Sequence, residues 1–355
     1  MRNLMLLSLI GGILAGISCT VTHPLSNMTL NHNRTPSNQM HYAITDIGSL
    51  GEGQNLATGV NDRGQVTGES DSWGGFSHAF LWTKGRMKDL GVLDRDMSTG
   101  ESINNRGLIT GSCQIFQWTS CAFLYDGRDM VDLGVSGSGN AINSRDQIVG
   151  DTEGGAFLYN HGKIRLLGTL GGSSSEAHAI NDEGQIVGGA RIRSGHNHAF
   201  LFRSGKMRDL GTLGGSDSEA FGINSGGSVV GRSKVQGLKF HAFLWKGGTM
   251  RDLDAPDASD SCATAINAAS EIVGDSQYRV RNIYTHATLW LGGQRIDLNS
   301  VIPADSGWIL EHAAGINSSG QIVGYGFREG FDYRRGFLLT PITRDKQASL
   351  SDGLL

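Results

Sequence analysis

Apolar residues along this chain come in short alternating runs. In Ala79-Phe80-Leu81-Trp82 the large Phe80 and Trp82 fall on one side, and Ala79 and Leu81 on the other. That period of two is the signature of a β-strand. The same run returns at residues 122–125, 156–159, 199–202, 242–245, 287–290 and 336–339. Ahead of it stands an apolar run ending in Gly, as in Ile186-Val187-Gly188 and Ile322-Val323-Gly324, and ahead of that a pair ending in Asn. Behind it comes a fourth run, typified by Met207-Arg208-Asp209-Leu210-Gly211. No stretch of the repeat shows a helical period, so the predicted fold is all-β.

The Asn pairs count the copies. They are Val60-Asn61, Ile103-Asn104, Ile142-Asn143, Ile180-Asn181, Ile223-Asn224, Ile266-Asn267 and Ile316-Asn317, spaced 43, 39, 38, 43, 43 and 50 residues apart. Four strands in ~40–45 residues match a propeller blade better than a solenoid coil of ~20–30 residues. Asn61, Asn104, Asn181, Asn224 and Asn317 are each followed three residues later by Gly, which accepts the positive φ of a hairpin turn. Asp146 and Ser270 replace that Gly in two units, which predicts less regular turns there. The first strand carries small residues, as in Ala177-His178-Ala179 and Ala313-Ala314-Gly315, suited to a crowded inner strand beside a central channel. A fourth strand follows only six of the seven units, and the missing copy opens the repeat region as Tyr42-Ala43-Ile44-Thr45-Asp46-Ile47-Gly48. Its pairing with residues 336–340 would complete the last blade and remove an exposed edge. The expected architecture is a seven-bladed β-propeller of four-stranded blades over residues 41–341, closed by this N-terminal strand.

The recurring His-Ala-Phe-Leu-Trp (residues 78–82 and 241–245), with the Leu-Gly-x-Leu-Gly-Gly and Ala-x-Ala-Ile-Asn segments, resembles the bacterial HAF-type extracellular repeat family. The resemblance covers roughly residues 43–340. It implies export and a propeller-like repeat, and no activity, substrate or catalytic residue to carry over.

Residues 1–18 read as a signal peptide. A cationic start is followed by an apolar stretch at residues 4–17, too short to span a bilayer comfortably. Gly16 and Ser18 are small residues ahead of a cut before Cys19. Ala15-Gly16-Ile17-Ser18-Cys19 also resembles a lipoprotein box, with Gly16 where Leu is usual, so Cys19 is a candidate lipidation site. Residues 19–40 read as a flexible tether and 342–355 as a disordered tail. The product is therefore expected outside the cytoplasm: extracellular, periplasmic or lipid-anchored. A net charge of −4 with no strong clustering leaves no electrostatic footprint for nucleic acid, and membrane contact only through the anchor. A monomer is expected.

Four cysteines add one constraint. Cys113 ends a second strand and Cys121 starts the third, so an antiparallel hairpin places them at the ~4.4–6.8 Å Cα separation of a disulfide. Closing so short a loop contributes roughly 2–3 kcal/mol. Cys262 is left as a small buried thiol. The repeated His78, His198, His241 and His286 sit too far apart to share an ion between packed blades, and are expected to bond nearby backbone. Asp89, Asp132, Asp209, Asp252 and Asp297 recur just before Leu and read as turn or blade-to-blade hydrogen-bond partners. Glu176 and Glu219 lie in matching Gly- and Ser-rich segments, read as loops, that lack EF-hand or RTX spacing, so no metal or other cofactor is predicted. No motif for a nucleophilic serine, zinc protease, phosphate loop or sialidase box is present.

One feature does not repeat. The loops between second and third strands differ in length and carry aromatics and arginines: Trp73, Phe76, Trp118, Tyr278, Arg281, Tyr284, Phe331 and Tyr333 among them. Variable loops on a rigid scaffold are where binding resides, and Tyr, Trp and Arg dominate interface hot spots. The alternative is that they only pack on one another as extended hairpins. The functional expectation is an exported, non-enzymatic propeller that binds a protein or glycan ligand. The competing expectation is an extracytoplasmic hydrolase or lyase using channel-mouth carboxylates such as Glu176, Glu219 and Glu311.

Overall fold

The computed structural model describes residues 40–342, apart from 95, 115–119, 255–257 and 280–282. The proposed signal peptide, the tether before Met40, Cys19 and the tail after Ile342 lie outside the described residues. The described chain is all-β with one short 3-10 turn, Leu298–Ser300. It forms seven separate four-stranded antiparallel sheets, each a meander of consecutive strands except the last. Blades 1 to 6 occupy residues 55–89, 97–132, 137–166, 171–209, 218–252 and 261–297. Blade 7 takes three strands from residues 308–342 and its outer strand, His41–Asp46, from the other end of the chain. That strand pairs with Arg335–Ile342 in the register Ala43↔Thr340, Ile44↔Leu339 and Thr45↔Leu338. The predicted closure is present.

The core lies between blades. Each apolar cluster draws on two neighbours, as where Ala57, Val66, Phe80 and Trp82 of blade 1 meet Val323 and Leu338 of blade 7. Phe80, Phe123, Phe157, Phe200, Phe243 and Phe337, equivalent by repeat, are fully buried, and Thr288 fills their place in blade 6. Burying such a side chain is worth about 1.5–3 kcal/mol, so the alternation seen in the third strands is the main apolar driving force. All seven second strands carry Gly (68, 111, 150, 188, 231, 274, 324) where a Cβ would collide with an inner-strand carbonyl oxygen. That close approach accompanies a β-bulge in every inner strand, with an extra residue at Thr58, Glu101, Asn140, His178, Phe221, Thr264 or Ala314.

At one end of the axis the turn asparagines form a closed circle. Asn61 Nδ2 donates to Asn104 O, and the pattern runs through Asn143, Asn181, Asn224, Asn267 and Asn317 back to Asn61 O, at 2.9–3.1 Å throughout. The turns with Asp146 and Ser270 are as regular as the others, contrary to expectation. Both residues adopt the left-handed conformation (φ 60° and 65°) and close the same hydrogen bond to the Asn carbonyl. The surrounding ring imposes the turn on residues that resist it.

Cys113 and Cys121 are register partners joined as a disulfide, with Cα atoms 5.1 Å apart. The repeated histidines pair with carboxylates, a partner that the expectation of backbone bonding did not include. Nδ1 of His78, His198, His241 and His286 pairs at 2.7–2.9 Å with the repeat carboxylate of the adjacent fourth strand, Asp89, Asp209, Asp252 and Asp297. The other oxygen functions of these aspartates cap the following turn, as Gly91 and Gly211 N–H show. In blade 7, Arg335 and Asp46 occupy the same two places, at 2.9 Å.

Candidate ligand site in the axial channel

Toward the face opposite the asparagine circle, the inner strands and the second-strand positions just after the close-approach Gly surround the axis with charged side chains. Each blade supplies one carboxylate: Glu69, Glu101, Asp151, Glu176, Glu219, Asp275 and Glu311. Glu176 and Glu219 are thus strand residues rather than loop residues. The Gly- and Ser-rich sequence that suggested a loop is drawn into the ten-residue inner strand Gly171–Ile180.

Apart from Glu176 of blade 4, the carboxylates divide into two sectors. In blades 5 to 7 each has a cationic or ionisable partner: Glu219 with Arg232 at 2.8 Å and His178 at 3.1 Å, Asp275 with His312 at 2.8 Å, Glu311 with Arg334 at 2.8 Å. Aromatic rings line the same sector. His312 stacks on Tyr325 at 5.0 Å, Arg334 lies over Tyr325, and His178 and Arg232 lie against Phe221. In blades 1 to 3 the partners are neutral. Thr99 Oγ1 donates to Glu69 at 2.7 Å and Asn140 Nδ2 to Asp151 at 2.9 Å, while Glu101 Oε1 is sealed from solvent with no partner.

The titration behaviour follows these surroundings. Burial, reinforced by Glu69 and Asp151, pushes Glu101 up to about 8. Burial raises Glu69 against the Thr99 hydrogen bond, and it raises Glu176 despite His178. Burial would also raise Glu219, but His178 and Arg232 outweigh it and hold that carboxyl down to about 2. His178 goes up because Glu219 overcomes the cost of burying its charge. Cys262, expected as a small buried thiol rather than a nucleophile, is less buried than that. It is half-buried on the inner strand of blade 6, opposite Asp275, and desolvation pushes its thiol well up, so it is a poor nucleophile.

The predicted loop residues are only partly brought together. Trp73 and Phe76 sit on the blade 1 hairpin and are 79% and 39% exposed. Phe331 and Tyr333, on the neighbouring blade 7 hairpin, pack edge-to-face at 5.7 Å, and the Arg335 guanidinium covers Phe331 at 4.6 Å. That pair follows the self-packing alternative. Tyr278 and Tyr284 are backbone register partners in blade 6, whereas Trp118 and Arg281 lie outside the described residues. Glu311 is three blades from Glu176, so the three carboxylates singled out for catalysis do not converge. The residues sequence reasoning missed are Glu69, Glu101, Asp151, His178, Arg232, Asp275 and Tyr325. The signal was available: these positions differ between copies of a repeat that otherwise preserves its buried residues.

No protein-family model and no curated protein matches the chain. Among solved structures, gluconolactonase from Xanthomonas campestris aligns at 11% identity over 87% of this chain and 99% of its own, with a TM-score of 0.41. The β-propeller domain of the trilobed protease from Pyrococcus furiosus aligns at 13% over 67% and 82%, with a TM-score of 0.48. Aleuria aurantia lectin aligns at 11% over 71% and 97%, with a TM-score of 0.37. These are likenesses between propellers, and they carry no activity over to this chain.

Proposed function

We propose that the chain is an exported binding propeller that takes the polar part of a protein or glycan ligand at the mouth of its axial channel. One observation carries this. Positions that build the scaffold repeat from blade to blade, whereas the two rows facing the channel do not. The bulge row reads Thr58, Glu101, Asn140, His178, Phe221, Thr264, Ala314, and the row after the close-approach Gly reads Glu69, Ser112, Asp151, Gly189, Arg232, Asp275, Tyr325. Exposed surface also varies, but these positions are half-buried or buried, where a scaffold alone would favour uniformity. The apolar N-terminal stretch and the Cys113–Cys121 disulfide support export, since such bonds persist in oxidising compartments. Trp73 and Phe76 stand on the hairpin face around the mouth as rim contacts.

The test is a glycan and peptide array survey with the mature protein, followed by retention of the best hit on variants. Tyr325→Ala and Arg334→Ala should each weaken retention at least tenfold without lowering the melting temperature by more than a few degrees, and Trp73→Ala should weaken it less. Unchanged retention by both channel variants would remove the channel from the reading.

A second reading has one observation of its own. Glu176 and Glu219 sit in surroundings that push their pKa values apart, one up and one down, as in an acid and base pair. A hydrolase or lyase would then show turnover that Glu176→Gln abolishes. A broad glycoside and peptide screen without product would retire it.

A further inference from the structure

We propose that Glu176, His178 and Glu219 hold a divalent transition-metal ion on the channel wall between blades 4 and 5. This rests on the channel being the ligand site and names a resident ion there. One oxygen or nitrogen from each residue lies within 4.8 Å of the others. Metal bonds of ~2.0–2.2 Å to imidazole and carboxylate require ligand separations of roughly 3–4.4 Å, within a small rotamer adjustment of that arrangement.

The fold explains why these three meet. Glu176 and Glu219 occupy the same inner-strand position in adjacent blades, opposite Gly189 and Arg232 respectively. Gly189 offers no side chain to neutralise Glu176, which makes no hydrogen bond to any described residue. His178 is the extra residue of the blade 4 bulge, a position from which Thr58, Asn140 and Thr264 also reach the neighbouring blade. A supporting layer is in place. Arg232 holds Glu219 Oε2 at 2.8 Å and leaves Oε1 facing His178 Nε2, while the Phe221 ring, 5.2 Å from the imidazole, fixes its plane.

A second observation points the same way. Beyond Glu176, the arc of Asp151, Glu101 and Glu69 makes no ion pair among the described residues, and Glu101 Oε1 within it is sealed from solvent without a hydrogen-bond partner. An ion on this wall supplies the missing positive charge, and the attraction of these carboxylates offsets its repulsion by Arg232. One nitrogen and two carboxylate oxygens, without thiolate, suit Zn²⁺ or Mn²⁺ better than the all-oxygen preference of Ca²⁺. The alternative cluster, His241 with Asp252 and Asp254, carries no such inference, because Asp254 already engages Ser261, Trp290 and Arg295.

His178 faces Glu176 on its own strand, Glu219 from blade 5 and Asp151 from blade 3. The experiment uses the full mature chain, stripped with chelator and titrated with Zn²⁺ and Mn²⁺ by calorimetry. Expected are one saturable site per chain and a raised melting temperature. His178→Ala and Glu176→Gln should weaken binding at least tenfold while folding as the wild type does by circular dichroism. Tyr325→Ala should leave it intact. No saturable binding, or equal binding by His178→Ala and Glu176→Gln, overturns the metal centre. Loss of array ligand in Tyr325→Ala with metal binding absent in the wild type would sink this proposal alone and leave the channel reading standing.

Discussion

Glu101 occupies a position whose role is plain from its equivalents. At the extra residue of the bulge, Thr58 donates to Gly100 O at 2.6 Å, Asn140 to Ala177 O at 3.0 Å and Thr264 to Ala313 O at 2.6 Å. Each hydrogen-bonds the inner strand of the next blade. A carboxylate has no proton to give, and Glu101 Oε1 is left without a partner. With its pKa raised to about 8, the folded chain binds this proton more tightly than the unfolded chain, whose value is 4.5. The sign follows from linkage. Below pH 4.5 both states hold the proton and the residue costs nothing, and stability then falls as pH climbs from 4.5 to about 8. Glu101→Gln supplies a permanent donor and removes that slope. Its melting temperature should exceed that of wild type by several degrees at pH 8 and match it at pH 4, and parallel curves across that range would refute the assignment. Nothing in the linear sequence announces this. Glu101 reads as one more polar residue ahead of Ile103-Asn104 until the bulge turns it toward the axis.

Each hairpin between first and second strands is built around one asparagine. Asn181 accepts from the amides of Glu183 and Gln185 through Oδ1, and its Nδ2 donates to Gln185 Oε1 and to Asn224 O of the next blade. The turn was legible from the Asn-x-x-Gly spacing. The inter-blade bond was not, because it joins residues some 40 positions apart and depends on how the blades pack. Asn181→Ala leaves the buried Asn224 carbonyl, the buried Gln185 amide and the part-buried Glu183 amide short of partners. The expected loss is roughly 2–4 kcal/mol by denaturant titration, against roughly 1 kcal/mol or less for an exposed neighbour such as Glu183→Ala. A loss below 1 kcal/mol for Asn181→Ala would mean the circle is ornamental. The same gap between local and packed information separates the two cysteine and histidine outcomes. Cys113 and Cys121 face each other within one hairpin, so strand alternation placed them correctly. The His–Asp pairs join the third strand to the fourth across 11 residues, and the sequence showed both repeats without the register that couples them.

At the scale of the whole ring, closure was the most legible feature, because a missing fourth strand at one end and a surplus one at the other leave a single solution. The closing strand is also locked differently from its equivalents. Where other blades use His and Asp, blade 7 uses Arg335, buried, with Asp46, and Arg328 joins the same carboxylate at 2.7 Å. Burial would raise Asp46, but the Gly48 amide and the two guanidinium groups outweigh it and hold its pKa down. This contribution is therefore full above the ordinary carboxylate range and fades as pH falls through the lowered folded value. Removing Asp46 strands the Arg335 charge, whose Nε already has no partner. Breaking a buried pair from one side costs about 3–5 kcal/mol, whereas a partly exposed His–Asp pair is worth about 1 kcal/mol or less. Asp46→Ala should accordingly destabilise the protein several-fold more than Asp209→Ala at pH 7, although the two residues are repeat equivalents. The difference should shrink as pH falls below 4, where the unfolded chain takes up the proton before the folded one does. Equal effects of the two substitutions at pH 7 would show that the ring does not depend on the lock that joins its ends.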